Sequence, residues 1–118
     1  SQRVRFLPPM PAREAFALGR VIVVPSRAEA MPYIVLEALA AGKTMIASAV
    51  GGIPEIFPPD SPALIEPTVS SAAAAMAAAM SGEAAFAALM PSRDELKARF
   101  GADVMAARIG EAYRAALA

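Results

Sequence analysis

The sequence lacks cysteine, histidine and tryptophan, and the first two absences each exclude a class of chemistry. Without cysteine, the 118-residue chain forms no disulfide and offers no thiolate to a metal. Without histidine, it has no imidazole general base and no imidazole metal ligand. Lys plus Arg and Asp plus Glu both number 11, so there is no excess of positive charge to attract nucleic acid. We therefore expect no thiolate- or imidazole-bound metal and no nucleic-acid partner.

Long hydrophobic runs are also absent. The longest nearly uniform apolar stretch, residues 72–80, is too short and too weakly hydrophobic to span a bilayer. The first residues show no signal-peptide pattern. We expect no transmembrane segment, a cytoplasmic location and, from the length, at most one domain.

Strand and helix patterns alternate along the chain. Short apolar runs predict strands at residues 4–7, 20–25, 44–47 and 63–65. Helices are predicted at residues 12–18 and 32–41, and from residue 69 to the end with breaks near residues 81–82, 91–92 and 101. Such alternation predicts an α/β fold, a Rossmann-like parallel sheet of about four strands with helices on both faces. We expect these side chains of the terminal helices to be core contacts: Met76, Met80, Phe86, Phe100 and Tyr113.

Two glutamates, Glu29 and Glu37, stand eight residues apart in the most informative part of the sequence. Glu29 follows the second predicted strand, and Glu37 lies about one turn inside the predicted helix 32–41. Carboxylates only accept hydrogen bonds, so the pair suits a hydroxyl-rich ligand, with a ribose near Glu37 and sugar hydroxyls near Glu29. The alternative is that both are solvated surface residues, as glutamates usually are.

Pro32 fits the first position of this helix, where its missing N–H would have no partner. The amides of Tyr33, Ile34 and Val35 would then point out of the helix start without acceptors. Such donors, with the positive end of the helix dipole, predict a phosphate site between the two glutamates.

Three sequence motifs occur in this order between residues 25 and 55: P-S-R-x-E, L-E-A-L-A-A-G-K and S-x-V-G-G-I-P-E. They resemble the nucleotide-sugar-binding half of retaining glycosyltransferases of the GT-B fold, family 4 (group 1), and the resemblance extends from about Val4 to the C-terminus. It implies that Glu29 positions the donor sugar as the catalytic contact and that Glu37 holds the ribose of the nucleotide. Backbone contacts to sugar and pyrophosphate are implied for Met31, Pro32, Tyr33, Ile34 and Val35.

The chain departs from the family pattern after the first glutamate. The family often has Gly-Phe-Gly there, whereas this sequence has Ala30-Met31-Pro32. Pro32 removes one amide donor and Ala30 restricts the backbone, but both carboxylates and the amides of residues 33–35 remain, so we interpret the departure as a subfamily variant.

Two further features border the glutamates. Gly51 and Gly52 lie between the strand predicted at residues 44–47 and a short helix predicted to begin at Ile53, where ligands bind in open α/β sheets. They allow close backbone approach to the ligand or, alternatively, form only a tight turn. Ser26 either caps the turn that follows the second strand or approaches the ligand, and we favour the cap.

The resemblance implies a function for the parent protein. Residues 1–118 would be the C-terminal part of a nucleotide-sugar-binding domain, lacking its first strands and the N-terminal acceptor domain. The parent would be a hexosyltransferase-like enzyme that moves a sugar, with retention, from a UDP- or GDP-sugar to a carbohydrate or lipid-linked acceptor. We expect this reaction to use no cofactor and no metal, in polysaccharide or glycolipid synthesis, with the parent peripheral to the inner membrane and the isolated piece inactive. The alternatives are a non-catalytic nucleotide-binding or interaction module and another GT-B enzyme such as a nucleotide-sugar epimerase.

The absent strands would belong at the centre of the sheet, so the piece would have unpaired strand edges. We expect either that Val4–Leu7 pairs directly with a neighbouring strand or that the piece self-associates.

Overall fold

The computed structural model describes residues 3–118 and contains a three-stranded sheet that is parallel throughout. Strand β1 is Val21–Val24, β2 is Thr44–Ser48 and β3 is Leu64–Ile65. The order across the sheet is β1-β2-β3, so β2 is central. The last three predicted strands are confirmed to within one or two residues at each end.

Helices separate the strands and complete the chain. They are α1 Ala12–Ala17, α2 Tyr33–Ala40, α3 Val69–Ser81, α4 Glu83–Ala87, α5 Arg93–Phe100 and α6 Ala102–Leu117, with a short 3-10 helix at Ile53–Glu55. The predicted breaks in the terminal helical region are confirmed. Gly82 separates α3 from α4, Ser92 caps α5, and Gly101 separates α5 from α6.

The core is built around β2. All five residues of β2 are buried. Because successive side chains of a strand point to opposite faces, both faces of the sheet are covered. Helix α2 packs on β2, as do α3 and α4. The predicted α/β class is therefore confirmed, and the largest fully buried side chains are Met45, Ile46, Ile53, Ile56, Val35 and Ser48.

The predicted first strand, Val4–Leu7, is wrong. These residues have no regular structure, and Phe6 is 97% exposed. A strand needs a neighbour for its backbone groups, and within residues 3–118 β1 pairs with β2 alone. Pro8 and Pro9, which lack N–H groups, follow directly and limit pairing further. The sheet thus has three strands rather than four, and self-association of the piece stays a prediction.

Helix α6 exposes apolar side chains and has no buried residue. Met105, Ile109, Tyr113 and Leu117 recur every four residues along it, and α6 packs mainly on α5. The expected core role is therefore wrong for Tyr113. No helix within residues 3–118 is both long enough and apolar enough to cross a membrane.

The expected core role also fails on α3, where Met76 is 44% and Met80 79% exposed. Both lie beside the open edge of β1, and no further strand covers them within the described residues. By contrast, Phe86 is buried and Phe100 is half-buried, so the expectation is confirmed for Phe86 and holds in part for Phe100.

Candidate functional site

The candidate site lies where the carboxyl ends of the parallel strands meet. The loop that follows β1 spans residues 25–32 and the loop that follows β2 spans residues 49–52. Since both strands run in the same direction, both loops emerge at the same edge of the sheet. Ser48 joins the two strand ends, because its buried hydroxyl donates to the Val24 carbonyl at 3.5 Å. This edge is where ligands bind in open α/β sheets.

Glu29 lies in the first of these loops and is half-buried. The Ser26 hydroxyl donates a hydrogen bond to Glu29 Oε1 at 2.7 Å. The expectation that Ser26 caps the turn is therefore wrong, since its hydroxyl contacts a side chain rather than a backbone amide. Ser26 instead fixes the carboxylate that sequence reasoning assigned to the donor sugar.

The start of α2 differs in detail from the sequence prediction. Pro32 is the residue before the helix, with extended backbone angles (φ −77°, ψ 108°), rather than its first residue. Its carbonyl accepts a hydrogen bond from the Val35 amide at 3.1 Å, so the prediction that this amide is free is wrong. A first turn of the tighter 3-10 type satisfies one of the amides that a helix start leaves open.

The amides of Tyr33 and Ile34 donate no hydrogen bond to any atom of residues 3–118. Pro32 is buried and has no N–H to offer. Within the first turn of α2, the open donors are thus Tyr33 and Ile34, at the positive end of the α2 dipole.

Glu37 is the fifth residue of α2 and is exposed. It stands one turn after Tyr33, about 6 Å along the helix axis, on the same face. Side chains on a helix lean toward its N-terminus, so the Glu37 carboxylate leans toward the Tyr33 amide. Glu29 thus lies in the loop before α2, the free amides in its first turn, and Glu37 one turn further along the helix.

Gly51 and Gly52 pack against the Glu29 loop. Gly51 has φ +55°, and a Cβ at that position would overlap the carbonyl group of Glu29. The Gly52 amide donates to the Ala30 carbonyl at 2.6 Å, and a Cβ on Gly52 would lie 2.8 Å from Met31 Cε. The two glycines thus allow close backbone approach, here between two loops of the protein itself, and this contact fixes the backbone that carries Glu29.

The pattern P-S-R-x-E occurs twice in the chain, at residues 25–29 and 91–95. In the second copy Ser92 and Glu95 form a capping box: the Ser92 hydroxyl accepts from the Glu95 amide at 3.1 Å and the Glu95 carboxylate accepts from the Ser92 amide at 3.0 Å. The first copy forms neither of these bonds and opens no helix. This repetition is the signal that could have shown Ser26 to be unusual.

A groove of about 240 Å³ lies beside the start of α2. One wall comes from the α2 region and the other from α5 and α6; the lining residues are Met31, Tyr33, Leu36, Arg99, Phe100, Met105, Arg108 and Ile109. Apolar side chains and two arginines, Arg99 and Arg108, thus line the groove beside the helix start.

Arg27 and Lys43, the cations closest to the two glutamates in the sequence, differ in their position. Arg27 is exposed in the loop that carries Glu29. Lys43 lies at the opposite edge of the sheet, just before β2, where its ammonium donates to the Gly19 carbonyl at 3.2 Å. Lys43 therefore lies too far away to hold a phosphate at the start of α2. Within residues 3–118, no group of three or more acidic side chains is placed to bind a metal ion.

A family model described as glycosyl transferases group 1 matches residues 1–82, which include both loops and α2. The chain belongs to this family. It is 45% identical over 47 residues to the sulfoquinovosyl transferase SQD2 of Arabidopsis thaliana, covering 40% of this chain and 9% of that protein. It is 41% identical over 56 residues to the D-inositol 3-phosphate glycosyltransferase of Corynebacterium efficiens, covering 45% of this chain and 13% of that protein.

Among solved structures, the sucrose-phosphate synthase of Thermosynechococcus elongatus is similar, with a TM-score of 0.71 and 30% identity. The match covers 87% of this chain and 27% of the synthase. The three-stranded sheet and its helices thus form part of a GT-B fold, as expected. The chain spans between 9% and 27% of the length of these relatives.

Proposed function

We propose that this chain is the donor-binding part of a retaining glycosyltransferase that takes its sugar from a nucleoside-diphosphate sugar. The observation that carries the proposal is the arrangement at the start of α2, where two unpaired amides lie between Glu29 in the loop and Glu37 one turn into the helix. Membership of the group 1 glycosyltransferases supports transfer over the epimerase alternative.

The pyrophosphate, the ribose and the sugar of the donor each have a partner in this arrangement. The pyrophosphate faces the amides of Tyr33 and Ile34, where the helix dipole favours negative charge. The ribose hydroxyls donate to Glu37, and the sugar hydroxyls donate to Glu29. Both carboxylates act by holding the donor in one orientation.

The leaving group of the reaction is the nucleoside diphosphate, which gains negative charge as the bond to the sugar breaks. Fixed donors at that point stabilise the transition state, and such stabilisation is usually the largest catalytic contribution. The Tyr33 and Ile34 amides supply part of it. Within this proposal, further cations and the acceptor site come from parts of the parent outside these 118 residues, the donor is a UDP- or GDP-sugar, and the acceptor is a carbohydrate or lipid-linked group.

The two glutamates should have separable effects on binding. We expect Glu37→Ala to weaken binding of UDP or GDP to the 118-residue chain, because Glu37 contacts the ribose that both nucleotides contain. We expect Glu29→Ala to leave that binding unchanged, because its contact is to the sugar. The loss of one hydrogen bond to a charged group corresponds to about tenfold or more in the dissociation constant.

Titration followed by amide chemical shifts in NMR spectra measures these constants into the millimolar range. Glu111→Ala is a matched control, since Glu111 is an exposed glutamate on α6. Equal weakening of nucleotide binding by Glu29→Ala and Glu37→Ala would contradict the division of roles, and wild-type chain that binds neither nucleotide would contradict the proposed function itself.

A further inference from the structure

The carboxylate of Glu29 is held by contacts that the proposed function does not use. The Ser26 hydroxyl donates to Oε1 at 2.7 Å, within the range of a hydrogen bond to an ionised oxygen. A carboxylate can accept about four hydrogen bonds, so this contact leaves capacity for the hydroxyls of a ligand. Ser26 therefore limits how the carboxylate can rotate without occupying it.

The backbone of Glu29 is held from the other side. Gly51 and Gly52, in the loop that follows β2, lie against the carbonyls of Glu29 and Ala30, and the Gly52 amide donates to the Ala30 carbonyl at 2.6 Å. The loop after β2 thus holds the backbone of Glu29, and Ser26, in the loop after β1, holds its side chain. Such preorganisation matters for a group that acts by orienting a ligand.

Local sequence preference would place these two side chains differently. S-x-x-E is the signature of a capping box, and Ser92 with Glu95 forms one. At residues 26–29 the serine contacts the glutamate side chain directly, and the backbone amides of both residues stay out of the contact. The carboxylate of Glu29 is thereby free of a capping role and lies at the candidate site.

We propose that Ser26 is a positioning residue for the donor sugar and acts through Glu29. The inference rests on the proposed function. It adds that recognition of the sugar, as distinct from the nucleotide, depends on the Ser26 hydroxyl. The alternative is that the bond only stabilises the loop, in which case Ser26 would affect nucleotide and nucleotide sugar equally.

The test compares four ligands on the 118-residue chain: UDP, UDP-glucose, GDP and GDP-mannose. For whichever base binds, we expect Ser26→Ala to weaken binding of the nucleotide sugar several-fold, by no more than Glu29→Ala does, and to leave binding of the diphosphate unchanged, because a carboxylate that rotates freely must be ordered when the sugar binds. Ser26→Thr, which keeps a hydroxyl, should restore most of the affinity for the nucleotide sugar. Ser92→Ala, which removes the hydroxyl from the second P-S-R-x-E segment, should change neither affinity.

A double-mutant cycle shows whether Ser26 acts through Glu29. In the Glu29→Ala background, Ser26→Ala should have no further effect on nucleotide-sugar binding, because the group it positions is gone. Additive losses would overturn the proposal, and so would equal weakening of diphosphate and nucleotide sugar by Ser26→Ala. If wild-type chain binds the diphosphate but gains nothing from the sugar, the role of Ser26 fails while nucleotide binding stands. If it binds none of the four ligands, both fail.

Discussion

Residues 25–29 and 91–95 share the pattern P-S-R-x-E but adopt different structures. The second segment opens α5 through a reciprocal capping box. The first forms a bent loop in which serine bonds to the glutamate side chain. The same local signal thus gives a helix start in one place and a candidate ligand site in the other.

Two features account for the different structures of the two segments. A helix beginning at Arg27 would place Pro32 in its interior, where its ring would clash with the Ala28 carbonyl and its missing N–H would remove a hydrogen bond. The corresponding position of the second segment holds Ala98, a good helix former. In addition, the backbone of Gly51 and Gly52 fits against the first segment and holds it as a loop.

The comparison shows what Glu29 gains. Glu95 uses its carboxylate to satisfy the Ser92 amide, so it is committed to the helix start. Glu29 has no such role and stays available at the edge of the sheet. Departures from local rules are expected at functional sites, because a function needs groups that local structure would otherwise occupy.

The largest effect should come from Gly51→Ala, which would disturb the loop contact. We expect a loss of about 3 kcal/mol in the free energy of unfolding, of which about 1–2 kcal/mol is strain at positive φ. The rest comes from displacing the Glu29 carbonyl, which the new methyl group would overlap. Urea denaturation measures the loss.

Gly42→Ala is the matched control for that measurement. Gly42 also has positive φ, +75°, but a Cβ there would meet nothing within 4 Å. It should cost only the strain of about 1–2 kcal/mol. Equal losses for the two variants would show that the contact between the glycines and the Glu29 loop adds nothing to stability.

The sequence predicted the frame of this site better than its details. The β-branched run of β1 and the Gly-Lys boundary before β2 are local signals, and they located the strands that carry both loops. The strand predicted at Val4–Leu7 was wrong because a strand depends on a neighbouring strand, which a short-range sequence pattern does not reveal.

The unexpected exposure of Met80 and Tyr113 has the same origin, since apolar spacing indicates a helix face to be covered but not what covers it. The favoured cap role of Ser26 was wrong because its hydroxyl bonds to the Glu29 side chain, and the local pattern S-x-x-E does not show which of the two contacts forms.

A smaller effect should separate the two serines in stability. Ser92→Ala removes the N-cap of α5 and should cost about 1 kcal/mol in the free energy of unfolding. Ser26→Ala should cost less than about 0.5 kcal/mol, because Glu29 is half-exposed and water can replace the hydroxyl. Thermal denaturation of the two variants at equal concentration measures the difference. A larger loss for Ser26→Ala would show that the first segment depends on its serine for folding.

The smallest effect should come from Ala28→Asp, which makes residues 25–29 identical to residues 91–95. Ala28 is exposed, so the change in the free energy of unfolding should stay within about 0.5 kcal/mol. If local sequence decided the structure, the new P-S-R-D-E segment would form a capping box and a helical turn. We expect it to remain a loop, because Pro32 and the two glycines are unchanged.

Backbone NMR chemical shifts of residues 26–30 report which structure forms, with residues 92–96 of the same molecule as the helical reference. Helical shifts at residues 27–30 would show that the acidic side chain at position 94, rather than the loop contact, makes the difference between the two segments.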